Sequence, residues 1–143
     1  MKKNRRVMCF GTFDIIHPGH VKFLEAARQL GDELYVVISR DERRESLQGK
    51  RPINSEKNRL FVVQNIKPVT QALLGDKKNI LTALKKIDPS IIALGHDQTF
   101  GIDVLKKWCS EQKAPPIIKR MPAYNRAEFS STYVKKMICQ SDK

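Results

Sequence analysis

The first 38 residues contain two short apolar runs separated by a segment in which apolar residues recur at helical spacing. This pattern constrains the fold more than any other feature of the chain. Residues 6–10 form a mostly apolar run that ends at Gly11, as a buried strand does when it stops at a tight turn. Apolar residues then recur at helical spacing over residues 19–30, with Gly31 placed as a C-terminal cap. Because residues 34–38 form a second β-rich apolar run, the pattern predicts a βαβ unit.

The rest of the chain continues this alternation. Further strands are predicted at residues 69–74, 91–94 and 116–120, and further helices at residues 55–65 (capped by Ser55), 79–87, 103–112 and 131–138. Residues 39–54 are predicted to be a polar, basic loop, broken by Gly49 and Pro52. The alternation indicates an α/β fold, namely a Rossmann-like, doubly wound parallel sheet of about five strands with right-handed crossovers.

Length and charge limit the domain organisation and the partners. A chain of 143 residues with 41% hydrophobic residues can bury one sizeable core, so we expect a single domain over residues 1–143. The 27 Lys and Arg residues exceed the 15 Asp and Glu residues, which gives a formal charge of +12. Such a charge predicts anionic partners: nucleotides, phosphorylated metabolites or nucleic acid.

Three cysteines and the absence of long apolar runs favour the cytoplasm. The cysteines are odd in number and widely spaced, which favours reduced thiols over disulfides or a metal site. The basic residues 1–6 precede an apolar run that is too short and too interrupted for a signal peptide. No segment approaches the roughly 18 continuous apolar residues that a membrane-spanning helix needs.

Ligands of such sheets bind beyond the carboxyl ends of the strands, near a switch in strand order. The loops after the first, second, fourth and last predicted strands are residues 11–19, 39–54, 95–101 and 121–130. These loops hold most of the unusual polar residues, so the pattern predicts the functional site at this edge of the sheet.

The loop that contains His17 and His20 is the strongest candidate site. It passes into a predicted helix amino terminus, where unpaired N–H groups and the positive end of the helix dipole suit phosphate oxygens. Two imidazoles there could donate hydrogen bonds to a phosphoryl group as negative charge builds during transfer. Gly11 would let the backbone approach a ligand, and Gly19 would remove side-chain bulk at the start of the helix.

Simpler interpretations of this loop stay open at this point. Asp14 and His20 could be helix-capping groups, and His17 could be a surface loop residue. A metal site is weakly indicated, because two histidines without further ligands fall short of a coordination set, and no metal ligands are predicted.

The complete motif resembles a known family. Residues 11–20, which read GTFDIIHPGH, resemble the His-x-Gly-His signature of the cytidylyltransferase-like nucleotidyltransferases, and residues 126–132 resemble the family's second signature, Arg-x-Glu-x-x-Ser-Thr. The resemblance covers nearly the whole chain. It implies attack of a phosphate-type oxygen on the α-phosphate of a nucleoside triphosphate, with release of pyrophosphate and help from Mg²⁺.

The resemblance also implies roles for individual residues. His17 and His20 would stabilise the transition state, and the expected nucleotide contacts are Gly11, Thr12, Phe13, Gly19, His20, Asp97, Ser131 and Thr132. Many relatives carry a catalytic lysine at the position of Gln48. Either Lys50 or Arg51 replaces its charge here, or the transition state is stabilised less well.

The second signature has a physical basis of its own. Ser131 and Thr132 stand where a hydroxyl can cap the last helix and its free N–H groups can hold phosphate, and Arg126 can bind the same anion with two hydrogen bonds. The alternative is an ordinary capped helix beside a solvated arginine. Similarly, Asp97 could bond ribose hydroxyls or simply form a turn.

Residues 95–98 (GHDQ), together with Tyr124, resemble the archaeal-type FAD synthases, which adenylylate FMN with ATP. The expected acceptor contacts are Asp14, Arg59, Gln98 and Tyr124, although Asp14 could instead organise its loop. The family resemblance further implies a homodimer.

Two other functions stay open. One is that of a glycerol-3-phosphate cytidylyltransferase, which uses CTP and shares both signatures. The other is an RNA-binding protein without catalysis, in view of the basic charge. Nucleic acid is the less favoured partner, because the aromatic residues Phe10, Phe23, Phe61 and Trp108 mostly fall at positions where the pattern indicates burial.

Overall fold

In the computed structural model, which describes residues 4–99, 101–123 and 131–141, strands and helices alternate along the chain. Their bounds are β1 (Arg6–Gly11), α1 (Pro18–Arg28), β2 (Glu33–Ile38), α2 (Asp41–Gln48), α3 (Glu56–Gln64), β3 (Gln71–Leu74), α4 (Leu81–Ile87), β4 (Ile91–Leu94), α5 (Ile102–Ser110), β5 (Ile117–Arg120) and α6 (Ser131–Ser141). The five strands are all parallel and lie in the order β3-β2-β1-β4-β5. The predicted Rossmann-like parallel sheet is therefore confirmed.

Side chains alternate between the two faces of this sheet, so each face carries its own core cluster. On one face, Val7 of β1 belongs to a cluster with Leu24 of α1, and both are fully buried. On the other face, Met8 of β1 belongs to a cluster with Leu84 of α4 and Leu105 of α5. Helices therefore cover both faces, as the doubly wound prediction requires.

The strand order reverses at β1, and this reversal positions the site. β1 pairs with β2 on one side, where Gly11 lies opposite Ile38, and with β4 on the other, where Cys9 lies opposite Ala93. The loops that leave β1 and β4 consequently diverge to opposite faces and open a crevice at the carboxyl edge of the sheet.

Residues 39–54 differ from their prediction as a loop, because α2 (Asp41–Gln48) lies within them. None of its residues is buried, so the helix lacks the apolar periodicity on which the prediction relied. Its helical signals are polar: Asp41 and Glu42 occupy the first turn, and Gly49 ends the helix with a left-handed φ of 72°.

The sequence predicted one capping residue for each of two helices, Ser55 for α3 and Gly31 for α1, and only the first prediction is confirmed. Ser55 caps α3, since its side chain accepts a hydrogen bond from the Asn58 N–H at 3.2 Å. Gly31 is not the cap of α1, because the helix ends at Arg28 and Gln29 is the capping residue. Gly31 instead permits a close backbone approach, since a Cβ there would lie 2.6 Å from the Arg5 carbonyl oxygen.

Candidate active site

Two adjoining cavities open at the carboxyl edge of the sheet. The histidine cavity, of about 430 Å³, is lined by His17, His20, Phe23, His96, Met121 and Thr132 among others. The arginine cavity, of about 380 Å³, is lined by Ser39, Arg43, Arg44, Gln48, Gly75 and Asp76 among others. The two cavities share Phe10, Gly11, Thr12, Asp97 and Gln98, so they meet above the end of β1. Each has the volume of a typical small-molecule site.

His17 and His20 hold each other in place through the first turn of α1. His17 is the N-cap residue, and its Nδ1 accepts a hydrogen bond from the Gly19 N–H at 3.1 Å. The Nδ1 of His20 in turn accepts from the His17 N–H at 3.3 Å, which completes a capping box. Because Nδ1 is an acceptor in both rings, the neutral imidazoles carry their proton on Nε2. Each ring therefore keeps one N–H donor for a ligand.

Burial keeps both imidazoles neutral at physiological pH. Burial, reinforced by the neighbouring His17, lowers the pKa of His20 to about 4. Burial also lowers the pKa of His17. The two rings are stacked with their centroids 3.8 Å apart, and the ring of Phe13 meets His20 edge to face at 5.4 Å. The pair is thus a fixed set of uncharged hydrogen-bond donors.

The capping box changes what the start of α1 can offer a ligand. The sequence predicted unpaired N–H groups there, but the Gly19 N–H donates to His17 Nδ1 and the His20 N–H donates to the His17 carbonyl at 3.0 Å. That prediction was wrong because the histidines themselves satisfy the first turn. His20 does have the capping role raised as an alternative, and His17 shares it, whereas the carboxylate of Asp14 bonds elsewhere.

Gly11 is required by packing inside the protein. Phe13 has a left-handed φ of 51° and is buried, and its ring lies over Gly11. A Cβ at Gly11 would overlap this ring, with two further ring atoms at 2.8 and 2.9 Å. The absence of a side chain at Gly11 therefore gives room for the Phe13 ring, which lines the histidine cavity.

Asp14 organises the loops around the site. Its carboxylate accepts hydrogen bonds from the Ile53 and Asn54 N–H groups at 2.8 Å each, and it lies 3.4 Å from Lys135 Nζ on α6. Although burial acts to raise the pKa of Asp14, these donors and Lys135 hold it below its usual value. This arrangement supports the loop-organising role that the sequence left open.

Arg59 is buried and is not among the described residues that line either cavity. Its side chain is fully buried, and it donates to the carbonyls of Thr12 and Ser39 at 2.9 Å each and to Asp41 Oδ1 at 2.6 Å. A fourth bond reaches the Asn54 carbonyl at 3.1 Å. Arg59 therefore joins the loops after β1 and β2 to the starts of α2 and α3.

Residues 95–98 form the wall that both cavities share. Arg120 at the end of β5 holds this loop, because its Nη1 donates to the carbonyls of Gly95 at 2.8 Å and Gln98 at 2.9 Å. Asp97 is exposed, while the Gln98 Oε1 accepts from the Gly95 N–H at 3.3 Å. The Nε2 of His96 is buried without a hydrogen-bond partner among the described residues. Sequence reasoning assigned no role to Arg120 or His96.

The two cations expected to replace a missing lysine lie away from the cavities. Lys50 and Arg51 are exposed, and neither contributes to the described walls. Arg51 forms an ion pair with Glu45 at 2.6 Å.

Arg43 and Arg44 of α2 line the arginine cavity instead, together with Gln48. The sequence analysis missed both because it treated this segment as a loop. The four-residue spacing between Arg44 and Gln48 was the available signal, since it places them on one face of a helix.

The second signature is partly described. α6 begins at Ser131, and Thr132 lines the histidine cavity from its first turn. The predicted contacts Tyr124 and Arg126 lie outside the described residues.

The residues that line both cavities lie within regions that match known proteins in sequence. A family profile described as cytidylyltransferase-like matches residues 8–137. The curated FAD synthase of Methanosarcina mazei is 42% identical over 127 residues, which span 89% of this chain and 83% of that protein. The FAD synthase of Archaeoglobus profundus is 42% identical over 135 residues, which span 93% of this chain and 85% of that protein.

Solved structures share the fold. A lipopolysaccharide core biosynthesis protein from Thermoplasma volcanium matches with a TM-score of 0.79 and 36% identity, over 86% of this chain and 100% of that chain. Pantoate-β-alanine ligase from Francisella tularensis matches with a TM-score of 0.60 over 100% of this chain and 72% of that chain. At 11% identity, the second match is one of fold alone.

Proposed function

Since this chain belongs to the cytidylyltransferase-like family and is a nucleotidyltransferase, we propose that it transfers the adenylyl group of ATP to FMN, making FAD and pyrophosphate. The similarity to archaeal FAD synthases over most of both chains supports this choice of substrates. The two adjoining cavities suit a reaction that brings a nucleotide and a second phosphorylated substrate together.

The reaction needs no protein nucleophile or general base. A phosphate oxygen of FMN attacks the α-phosphorus of ATP, a new P–O bond forms, and the bond to the β-phosphate oxygen breaks. The electron pair of that bond leaves with pyrophosphate. Negative charge grows on the oxygens around the α-phosphorus, so catalysis consists of holding the reactants in line and stabilising that charge.

The single observation that supports this mechanism best is the pair of neutral imidazoles that line the histidine cavity. His17 and His20 would donate from Nε2 to the α-phosphate oxygens as their charge increases. Because both donors are already oriented by the capping box, little reorganisation is needed during the reaction. Thr132 at the start of α6 would hold a further phosphate, and Ser131 and Arg126 stay proposed contacts from the sequence motif.

The remaining proposed contacts divide between the two cavities. ATP would occupy the histidine cavity, bounded by Gly11, Thr12, Phe13 and Gly19, with Asp97 towards the ribose. FMN would occupy the arginine cavity, with Gln98 as a contact, and Tyr124, which lies outside the described residues, stays a proposed contact of the acceptor. Asp14 and Arg59 would act through the loops that they join, and Lys50 stays a candidate cation outside the described walls.

Mg²⁺ is the proposed companion of the triphosphate. Among the residues that the structure describes, no group of three or more His, Cys, Asp or Glu could hold a metal ion. Asp97 is a carboxylate that borders both cavities, and it would be the contact of the protein to a cation that is bound mainly by nucleotide phosphates and water. When bound, Mg²⁺ would neutralise charge on the leaving pyrophosphate.

Pyrophosphate release tests this function. The protein is incubated with Mg²⁺, with ATP or CTP, and with FMN or glycerol 3-phosphate. We expect ATP with FMN to be the fastest pair and to yield FAD. Faster release from CTP with glycerol 3-phosphate would contradict the proposal, and RNA binding without any pyrophosphate release would contradict the enzyme function altogether.

A reducing compartment and a dimer are also proposed. Cys9 is buried, which raises the pKa of its thiol to about 12 and suits a reduced, unreactive cysteine of a cytoplasmic protein. No helix in the described ranges is long and apolar enough to cross a membrane. Phe61, expected to be buried, is 71% exposed beside the exposed Val62, and this apolar surface supports a homodimer that sedimentation velocity would test.

A further inference from the structure

Resting on the proposed function, we propose that Arg44 binds the phosphate of the acceptor and so gives the arginine cavity its preference for a phosphorylated flavin. Arg44 lies in the middle of α2, one helical turn before Gln48, and both residues line this cavity. The cavity meets the histidine cavity at Gly11 and Thr12. A phosphate held by Arg44 would therefore lie on the acceptor side of the junction.

The surroundings of Arg44 disfavour its positive charge, and a bound anion would offset this effect. Burial and the nearby Arg59 both lower its pKa, with Asp14 acting in the opposite direction. Within the described part of the chain, its guanidinium has neither a hydrogen bond nor an ion pair. A half-buried cation beside a second, fully buried cation is stabilised when a ligand supplies negative charge.

The neighbouring arginines show the contrast. Arg40 donates to Glu56 Oε2 at 2.7 Å and to the Gly75 carbonyl at 2.6 Å, while Arg51 is paired with Glu45. Their hydrogen bonds commit them to the protein, whereas the planar fork of Arg44 has no hydrogen bond to any residue that the structure describes and suits the two oxygens of a phosphate. Gln48 carries no charge, so the positive charge of the arginine cavity comes from its arginines.

Flavin binding separates this role from a structural one. FMN and riboflavin differ only in the phosphate, so the ratio of their dissociation constants, measured by quenching of flavin fluorescence, isolates the phosphate contact. We expect wild-type protein to prefer FMN, and Arg44→Gln to lose ~10-fold to 100-fold of FMN affinity, as the loss of a charge-assisted hydrogen bond does. Riboflavin affinity should stay unchanged.

Two further variants make the test specific. Lys57→Gln removes an equal charge from an exposed position on α3, outside both described cavities, and should keep the full preference for FMN. Arg44→Gln combined with Gln48→Lys returns a cation to the same helix face one turn away, and should recover part of the FMN affinity. A structural defect at Arg44 would not be repaired in this way.

The outcomes distinguish this inference from the proposed function. If wild-type protein forms FAD but Arg44→Gln keeps its preference for FMN over riboflavin, the assignment of Arg44 is overturned. An equal loss of FMN and riboflavin affinity would also overturn it, because the phosphate contact would then not be what was lost. If wild-type protein neither binds FMN nor forms FAD, the proposed function itself fails.

Discussion

His17 and His20 each divide their two ring nitrogens between structure and chemistry. Nδ1 accepts a hydrogen bond from the first turn of α1, which fixes the ring and places the proton on Nε2. Burial then keeps that proton on a neutral ring, as the lowered pKa values of both residues indicate. The capping interpretation and the catalytic one are therefore two aspects of the same side chains.

Substitutions at His17 can separate these two tasks. His17→Asn keeps a side-chain acceptor near the position of Nδ1 and removes the Nε2 donor, so we expect a nearly unchanged melting temperature and a turnover lower by ~10²-fold or more. His17→Ala loses both groups, and should lose a similar factor in turnover and additionally ~1 kcal/mol of stability. Steady-state FAD formation and thermal unfolding measure the two effects. Full turnover in His17→Asn would rule out the donor role.

At the scale of secondary-structure elements, buried polar contacts hold the loops of the site at fixed separations. Arg59 of α3 bonds to the loop after β1 through Thr12 and to the loop after β2 through Ser39. It also bonds to Asp41 at the start of α2, the helix that carries Arg44. The walls of the two cavities therefore depend on a side chain that touches neither.

Replacing Arg59 should act on stability more than on chemistry. Arg59→Met leaves Asp41 Oδ1 and three backbone carbonyls without their donor, and breaking a buried pair in this way costs roughly 3–5 kcal/mol. Urea unfolding measures the loss, and the exposed Lys57→Met on the same helix serves as the control, with a change below about 0.5 kcal/mol. A fully stable Arg59→Met protein with weaker FMN binding would instead favour the acceptor contact predicted from sequence.

At the scale of the whole molecule, several groups make the fold lose stability as pH falls. His17 and His20 have lower pKa values in the folded chain than in the unfolded one, so the folded state binds fewer protons below pH 6.5. The pKa values of Asp14 and Glu56 are also lowered by folding. Their protonation therefore adds a further loss of stability at more acidic pH. Protonation further raises a net charge that is already +12.

The free energy of unfolding should therefore decline from about pH 6.5, well above the range where carboxylates protonate. A His20 pKa that falls from 6.5 to about 4 corresponds to roughly 3 kcal/mol, present above pH 6.5 and lost as pH falls through 4. Urea unfolding between pH 7.5 and 4.5 measures this, in wild-type protein and in His20→Gln, which has no imidazole at this position. Parallel curves for the two proteins would contradict the prediction.

The sequence by itself determined the sheet, the histidine loop and the class of reaction. Strands such as Ile91–Leu94 are buried on both faces and flanked by turns, so their apolar runs are unambiguous. The motif around His17 and His20 is local, because residues three apart at a helix start meet whatever the rest of the chain does. Short-range geometry is encoded in neighbouring residues.

Only the tertiary structure decided which cations reach the site and which glycine serves which purpose. α2 was missed because a polar helix without a buried apolar residue leaves no apolar period, and the half-buried Arg44 was missed with it. Gly31 lies against the Arg5 carbonyl, and Arg59 joins loops that are 47 and 20 residues away in sequence. Such contacts depend on which strands lie side by side, and that order is established by packing across the sheet, which no single segment of sequence specifies.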